Sequence, residues 1–180
     1  MQELSSHGGH STGDIERVWV YDLHPEAAHL YAKRRVSEGY LCEVAPTVAS
    51  AVRAADVIIT ATWSTTPLLT ASMLPLGAHI TTLGPDSPGK AEVDADLLEA
   101  ARVVVDDLVL ARAMGSLDAW PDRSFSAVSL TGVLLNEAAG RRDADQLTVF
   151  GSVGLPFRDL VAAWHVFQAA HRRGLGPLLS

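Results

Sequence analysis

The run Gly84-Pro85-Asp86-Ser87-Pro88-Gly89-Lys90 is the stretch of this 180-residue sequence best suited to chemistry. Two prolines and two glycines in seven residues fix the shape of a loop, and within it a carboxylate and an ammonium stand four residues apart. The chain has only two lysines, Lys33 and Lys90, and spends one of them here. A carboxylate in such a loop can activate a water or position an amine when its geometry and acidity suit the task. The same residues also make a rigid turn with a solvated ion pair, and residue types alone leave both readings open. A second polar group, Thr60, Thr62, Ser64, Thr65 and Thr66, follows the apolar run Asp56 to Ala61. Its hydroxyls can bond a ribose or phosphate, or satisfy backbone groups in the turn before Pro67. The third is Asp22, which closes the run Arg17 to Tyr21. An acid at such a strand end bonds ribose hydroxyls in doubly wound nucleotide-binding domains, and it is also an ordinary turn former.

All three sites sit just past a β-rich run, and the runs explain why. Arg17 to Asp22, Leu41 to Ala45, Asp56 to Ala61, Ala78 to Leu83 and Arg102 to Asp106 are near-continuous in Val and Ile. Helical segments at about Pro25 to Glu38, Val48 to Ala55 and Asp94 to Ala101 separate them. That alternation implies parallel strands covered on both faces, with ligands held at the strand carboxyl ends. Beyond Asp107 the pattern predicts helices at Leu108 to Met114 and Ser126 to Ala139, a strand at Gln146 to Phe150 and a final helix from Pro156 to about Arg173. In that helix Leu160, Ala163, Trp164, Phe167 and Ala170 form an apolar stripe, with Pro156 suited to its first turn and Gly174 to its stop. Residues 1–14, rich in Ser, Gly, His and Thr, read as a loose tail. The Gly-x-Gly-x-x-Gly fingerprint that should precede Asp22 by roughly 20 residues is absent, since Gly8, Gly9 and Gly13 lack its spacing.

Composition narrows the function classes. A net charge of −7 provides no basic stripe for a nucleic-acid backbone or an anionic membrane, and no apolar run reaches the length of a membrane span. Cys42 stands alone, so no internal disulfide forms, and the first residues lack the pattern of a signal peptide; a cytoplasmic protein is the expectation. His7 and His10 have no third ligand beside them, so no metal site is expected. His24, His29 and His165 read as surface or packing residues, Trp19 and Trp120 as packing residues, and no Gly-x-Ser-x-Gly turn supports a serine nucleophile.

The succession RVWVYD, ADVIITAT with STTPLL, LPLGAHITTLGPDSPGKAEVD, RVVVDD and VFGSVGLPFRDLVAAW resembles the second half of an ornithine cyclodeaminase/mu-crystallin family member, over about Arg17 to Ala170. The resemblance implies a Rossmann-like doubly wound domain over residues 15–154 and a carboxyl-terminal helix over 155–180. It implies that Asp86 is the catalytic carboxylate, that Lys90, Thr60, Thr62 and the backbone of Leu83, Gly84 and Pro85 contact the cofactor, and that Asp22 binds its ribose. Ser152 and Val153 fall near the nicotinamide and the substrate. The cofactor implied is NAD rather than NADP, because the Asp22 carboxylate repels a 2′-phosphate, with His24 and Arg34 as nearby cationic counterweights. The substrate implied is a small amino acid or cyclic imine. The family's amino-terminal domain, its substrate-gripping Arg and Lys, and the first central strand with its glycine-rich turn have no counterpart here. The expectation is therefore a truncated or split chain whose final helix lacks its cover, and which works as a homo-oligomer or with an amino-terminal partner. The alternative is a non-catalytic remnant or nucleotide-binding module.

Overall fold

The computed structural model describes residues 15–176, so the tail and its histidines and glycines lie outside the described residues. The chain divides into two compact units, one up to Ala51 and one from Val52 onward.

In the first unit, β1 (Arg17–Val20) and β2 (Leu41–Val44) form a parallel ladder, Arg17 opposite Leu41 and Val20 opposite Val44. A parallel pair needs a crossover, and α1 (Pro25–Ser37) supplies it. Pro25 occupies the first turn, where a missing N–H costs nothing, and Ala28 and Ala32, one turn apart, are the buried residues of α1. The short α2 (Val48–Val52) follows β2.

The second unit is a five-stranded parallel sheet in the order β3-β4-β7-β5-β6, formed by β3 (Val57–Thr60), β4 (His79–Thr82), β5 (Arg102–Val105), β6 (Ala127–Ser129) and β7 (Thr148–Gly151). One rung across it, Ile58–Ile80–Val149–Val103, is buried and forms the core with Leu97 and Leu98 of α3 (Ala95–Ala100). Side chains alternate across a strand, so the intervening residues face the other side. There Val57 and Ile59 are 62% and 67% exposed. Asp94 caps α3 by accepting from Leu97 N at 2.7 Å, and Asp107 caps α4 (Leu108–Met114) by accepting from Val109 N and Leu110 N, each at 2.8 Å.

Two expectations need correction. The strands join two ladders rather than one, β1 with β2 in the first unit and β3 to β7 in the second. The segment Ser126 to Ala139 is not one helix. Ala127–Ser129 pairs with Val103–Val105 as β6, and only Leu130–Leu134 turns helical as α5, capped by Ser129 Oγ accepting from Gly132 N. Sheet pairing overrides local preference there. β7, to which the sequence assigned no neighbours, inserts between β4 and β5.

The last helix, α6 (Pro156–Arg172), buries none of its residues. Phe157, Leu160, Val161, Trp164 and Phe167 are exposed, and the Trp164 and Phe167 rings stack at 5.6 Å. No helix among the described residues is long and apolar enough to cross a membrane.

Candidate functional site

The last rung of the five-stranded sheet reads Thr60–Thr82–Gly151–Val105–Ser129. Since all five strands run the same way, the loops that leave this edge carry Thr62, Asp86, Asp106 and Ser152 out of the sheet together. Thr60 and the Asp86 loop thus share one edge, as the strand pattern implies.

Where β3 and β4 meet this edge is a carboxylate to which the sequence analysis gave no role. Glu92 is fully buried. Its Oε1 accepts from Thr62 N (2.5 Å) and Thr62 Oγ1 (2.7 Å); its Oε2 accepts from Thr60 Oγ1 (2.6 Å), Thr82 Oγ1 (2.8 Å) and Gly84 N (3.0 Å). Burial works to raise its pKa, but the bonds from Thr60, Thr62 and Thr82 outweigh it and hold the carboxyl below its ordinary range. Glu92 therefore stays ionised and ties the ends of β3 and β4 to the loop between Gly84 and Lys90. Gly84 is required by close approach, because a Cβ there would collide with the Thr62 carbonyl and the Glu92 carboxylate. The hydroxyls of Thr60 and Thr62, expected to contact a cofactor, both donate to Glu92. A signal for this was available: Glu92 lies between Ala91 and Val93, both buried, and three threonines stand at neighbouring strand ends.

The loop so held presents Asp86 to solvent beside Lys90, whose Nζ donates to Asp86 Oδ1 at 2.5 Å. That bond, helped by the charge of Lys90 and a 3.3 Å bond from Ser87 Oγ, keeps the Asp86 carboxyl below its ordinary range. Gly89 turns the chain at φ +80, a region that disfavours other residues, and its N–H donates to Asp118 Oδ2 at 2.9 Å. Pro85 is buried; Leu83 is exposed, its N–H bonded to the Thr60 carbonyl at 2.8 Å.

Beyond β7, the turn Ser152–Gly154 is organised by a second carboxylate that sequence reasoning missed. Asp106 accepts from Ser152 Oγ (2.8 Å), Val153 N (3.2 Å), Gly154 N (3.0 Å) and Asp107 N (3.0 Å). Partial burial works to raise its pKa, but these bonds outweigh burial, so the net shift is downward. Ser152 is buried, and Val153 is half-buried at the mouth of the turn.

In the first unit, Asp22 follows β1 and is exposed. Its Oδ1 accepts from His24 N at 2.7 Å, which shapes the entry to α1. Oδ2 has no partner among the described residues, so the carboxylate combines a turn role with a free acceptor of the kind a vicinal diol requires.

The sequence and the fold have counterparts among known proteins. Residues 10–174 match the model of the ornithine cyclodeaminase/mu-crystallin family. An alanine dehydrogenase of Archaeoglobus fulgidus is 30% identical over 168 residues, covering 91% of this chain and 52% of that protein. An ornithine cyclodeaminase of Brucella melitensis is 31% identical over 163 residues, covering 89% and 45%. The solved structure of an archaeal alanine dehydrogenase dimer with bound NAD superposes with a TM-score of 0.83 at 28% identity, over 93% of this chain and 53% of that one. The chain spans about half the length of the relatives it matches.

Proposed function

The chain belongs to the ornithine cyclodeaminase/mu-crystallin family, and we propose that it is the nucleotide-binding and proton-handling part of an NAD-dependent enzyme acting at the α-carbon of a small amino acid or cyclic imine. The observation that carries this reading is the gathering, at one sheet edge, of an ionised Asp86–Lys90 pair and the Ser152–Gly154 turn, each held by its own hydrogen-bonded carboxylate. Asp86 is exposed and ionised, the state required to take a proton from an attacking water or amine. Lys90 offers a cation to a dinucleotide diphosphate, and the Leu83–Pro85 backbone and Ser152–Val153 would flank it. Asp22 would accept from the adenine ribose, its charge selecting NAD over NADP. When bound, NAD supplies hydride acceptance and return; the residues here orient the reactants and move the proton. Thr60 and Thr62 serve this reading through Glu92 rather than by direct contact.

In this reading the remaining substrate contacts come from an amino-terminal partner or a second copy, α6 packs on what they provide, and the assembled protein works in the cytoplasm. Titration calorimetry tests it. NAD binds the chain more tightly than NADP, Asp22→Ala weakens NAD by about tenfold or more through loss of charge-assisted bonds, and the chain alone shows no turnover of ornithine, alanine or cyclic imines. Undiminished NAD affinity in Asp22→Ala removes the ribose assignment. Turnover by the chain alone that Asp86→Asn abolishes removes the need for a partner.

A further inference from the structure

Lys90 is held from two sides, and only one of them is a carboxylate. Its Nζ lies 2.5 Å from Asp86 Oδ1 and 4.3 Å from the centroid of the Trp63 ring. Trp63 sits on the loop that leaves β3 and is 85% exposed, so it fills no core. The chain places it beside Lys90 by backbone pairing: Ala91 N donates to the Ser64 carbonyl at 3.0 Å, and Leu68 N and Leu69 N donate to the Glu92 carbonyl at 2.9 and 3.1 Å. One strap therefore carries Lys90, and the strap it pairs with carries Trp63. The Lys90 side chain is 13% exposed while the Asp86 side chain is 54% exposed, so the lysine, not the carboxylate, is the covered member of the pair.

This arrangement needs a cause. An exposed ion pair gains little in water and must order a long side chain with many rotamers. The face of an indole attracts an ammonium through its quadrupole and also covers the apolar stem of a lysine. We propose that Trp63 is a positioning residue: its ring clamps the Lys90 ammonium against Asp86, fixing cation and carboxylate relative to each other before any ligand arrives. The proposal rests on reading Asp86 and Lys90 as the working groups of the site, and it adds the residue that sets their geometry. Without the ring, Lys90 is free to leave Asp86, whose remaining side-chain donor is Ser87 Oγ; Asp118, bonded to Gly89 N on the same loop, is the other charged group near it.

Having only two lysines makes the clamp directly visible. In protein labelled with 13C and 15N at lysine, exposed Lys33 of α1 is an internal reference for Lys90. The Lys90 ε-methylene protons resonate upfield of those of Lys33, displaced by the indole ring current, and the Asp86 carboxyl titrates below the ordinary carboxylate range. Trp63→Leu brings the Lys90 signal onto that of Lys33 and moves the Asp86 titration up toward the ordinary range. Trp63→Phe and Trp63→Tyr, which keep an aromatic face, retain part of both effects. Coincident lysine signals in the unmodified chain overturn the proposal whatever the variants do. So does Trp63→Leu that leaves Lys90 and Asp86 unmoved while the amide spectrum stays native. NAD titration of the unmodified chain reads the functional assignment separately, because an intact clamp without NAD binding rejects that assignment and leaves the clamp standing.

Discussion

Asp86 and Glu92 are six residues apart on the same strap, and the fold treats them in opposite ways. Glu92 is wholly buried, accepts five hydrogen bonds and reaches no solvent. Asp86 is exposed and pairs with a lysine from its own loop. Both are acidic beyond the ordinary carboxylate, Asp86 mainly through the bond from Lys90, Glu92 through three threonines that overcome its burial. The same shift therefore has different meanings. In Glu92 it measures how strongly the folded state holds a charge; in Asp86 it sets the protonation state of a group free to react.

The comparison is sharpest in Glu92→Gln. Either orientation of the amide turns its NH2 toward a backbone donor, Thr62 N on one side or Gly84 N on the other, and neither can become an acceptor. We expect a loss of about 2–4 kcal/mol, combining lost charge-assisted bonds with an orphaned buried N–H. Chemical denaturation measures it, and a loss below about 1 kcal/mol would mean the cluster adds little. A pH series separates charge from shape. Because the folded pKa of Glu92 lies below its unfolded value, its stabilisation is complete above the ordinary carboxylate range and disappears as pH falls through the folded value. Glu92→Gln should flatten this acid limb.

Asp106→Asn is the intermediate case. The amide again faces a backbone donor whichever way it turns, Gly154 N or Val153 N and Asp107 N, but the site is only partly buried. A cost of about 1–2 kcal/mol is expected, with amide exchange rising first at Ser152–Gly154. Asp86→Asn should leave the denaturation midpoint essentially unchanged, as exposed substitutions do, while removing the proposed proton acceptor. A lowered midpoint would place Asp86 with Glu92 as a structural carboxylate. Smallest of all is the double change Trp164→Ala and Phe167→Ala on α6, a helix with no buried residue. The unfolding free energy of the chain should move by less than about 0.5 kcal/mol.

The strands were legible because Val and Ile runs announce themselves: β1 to β5 fall inside runs read from the sequence, within a residue or two at each end, and β7 overlaps its run but ends one residue beyond it at Gly151. β6 was not, since three residues are too few to show alternation and Ala127–Ser129 becomes a strand through its pairing with β5. The place of β7 between β4 and β5 has no local signature at all, because strand order depends on partners far away in sequence. At the candidate site, loop chemistry singles out Asp86 and Lys90, and the structure brings the two together as an ion pair. Glu92 and Asp106 were not read as functional, since a carboxylate's role here depends on which backbone N–H groups converge on it. The bonds from the threonines to Glu92 were not legible for the same reason: hydroxyls at a strand end look alike whether or not they face a buried acid.

The insertion of β7 also dictates an order of events as the chain is made. β3 and β4 can pair early, and β5 and β6 can pair once residue 129 has emerged, yet the two halves share no ladder until Thr148–Gly151 arrives. His79 then meets Thr148 across 69 residues of intervening chain. Closing so long a loop is slow and comes after the local pairings, so two half-sheets with bare inner edges must wait side by side during synthesis. A nascent chain stalled before residue 148 should remain protease-sensitive and bind chaperones. Release of a few more residues, enough to deliver β7, should convert it to a protected state in a single step.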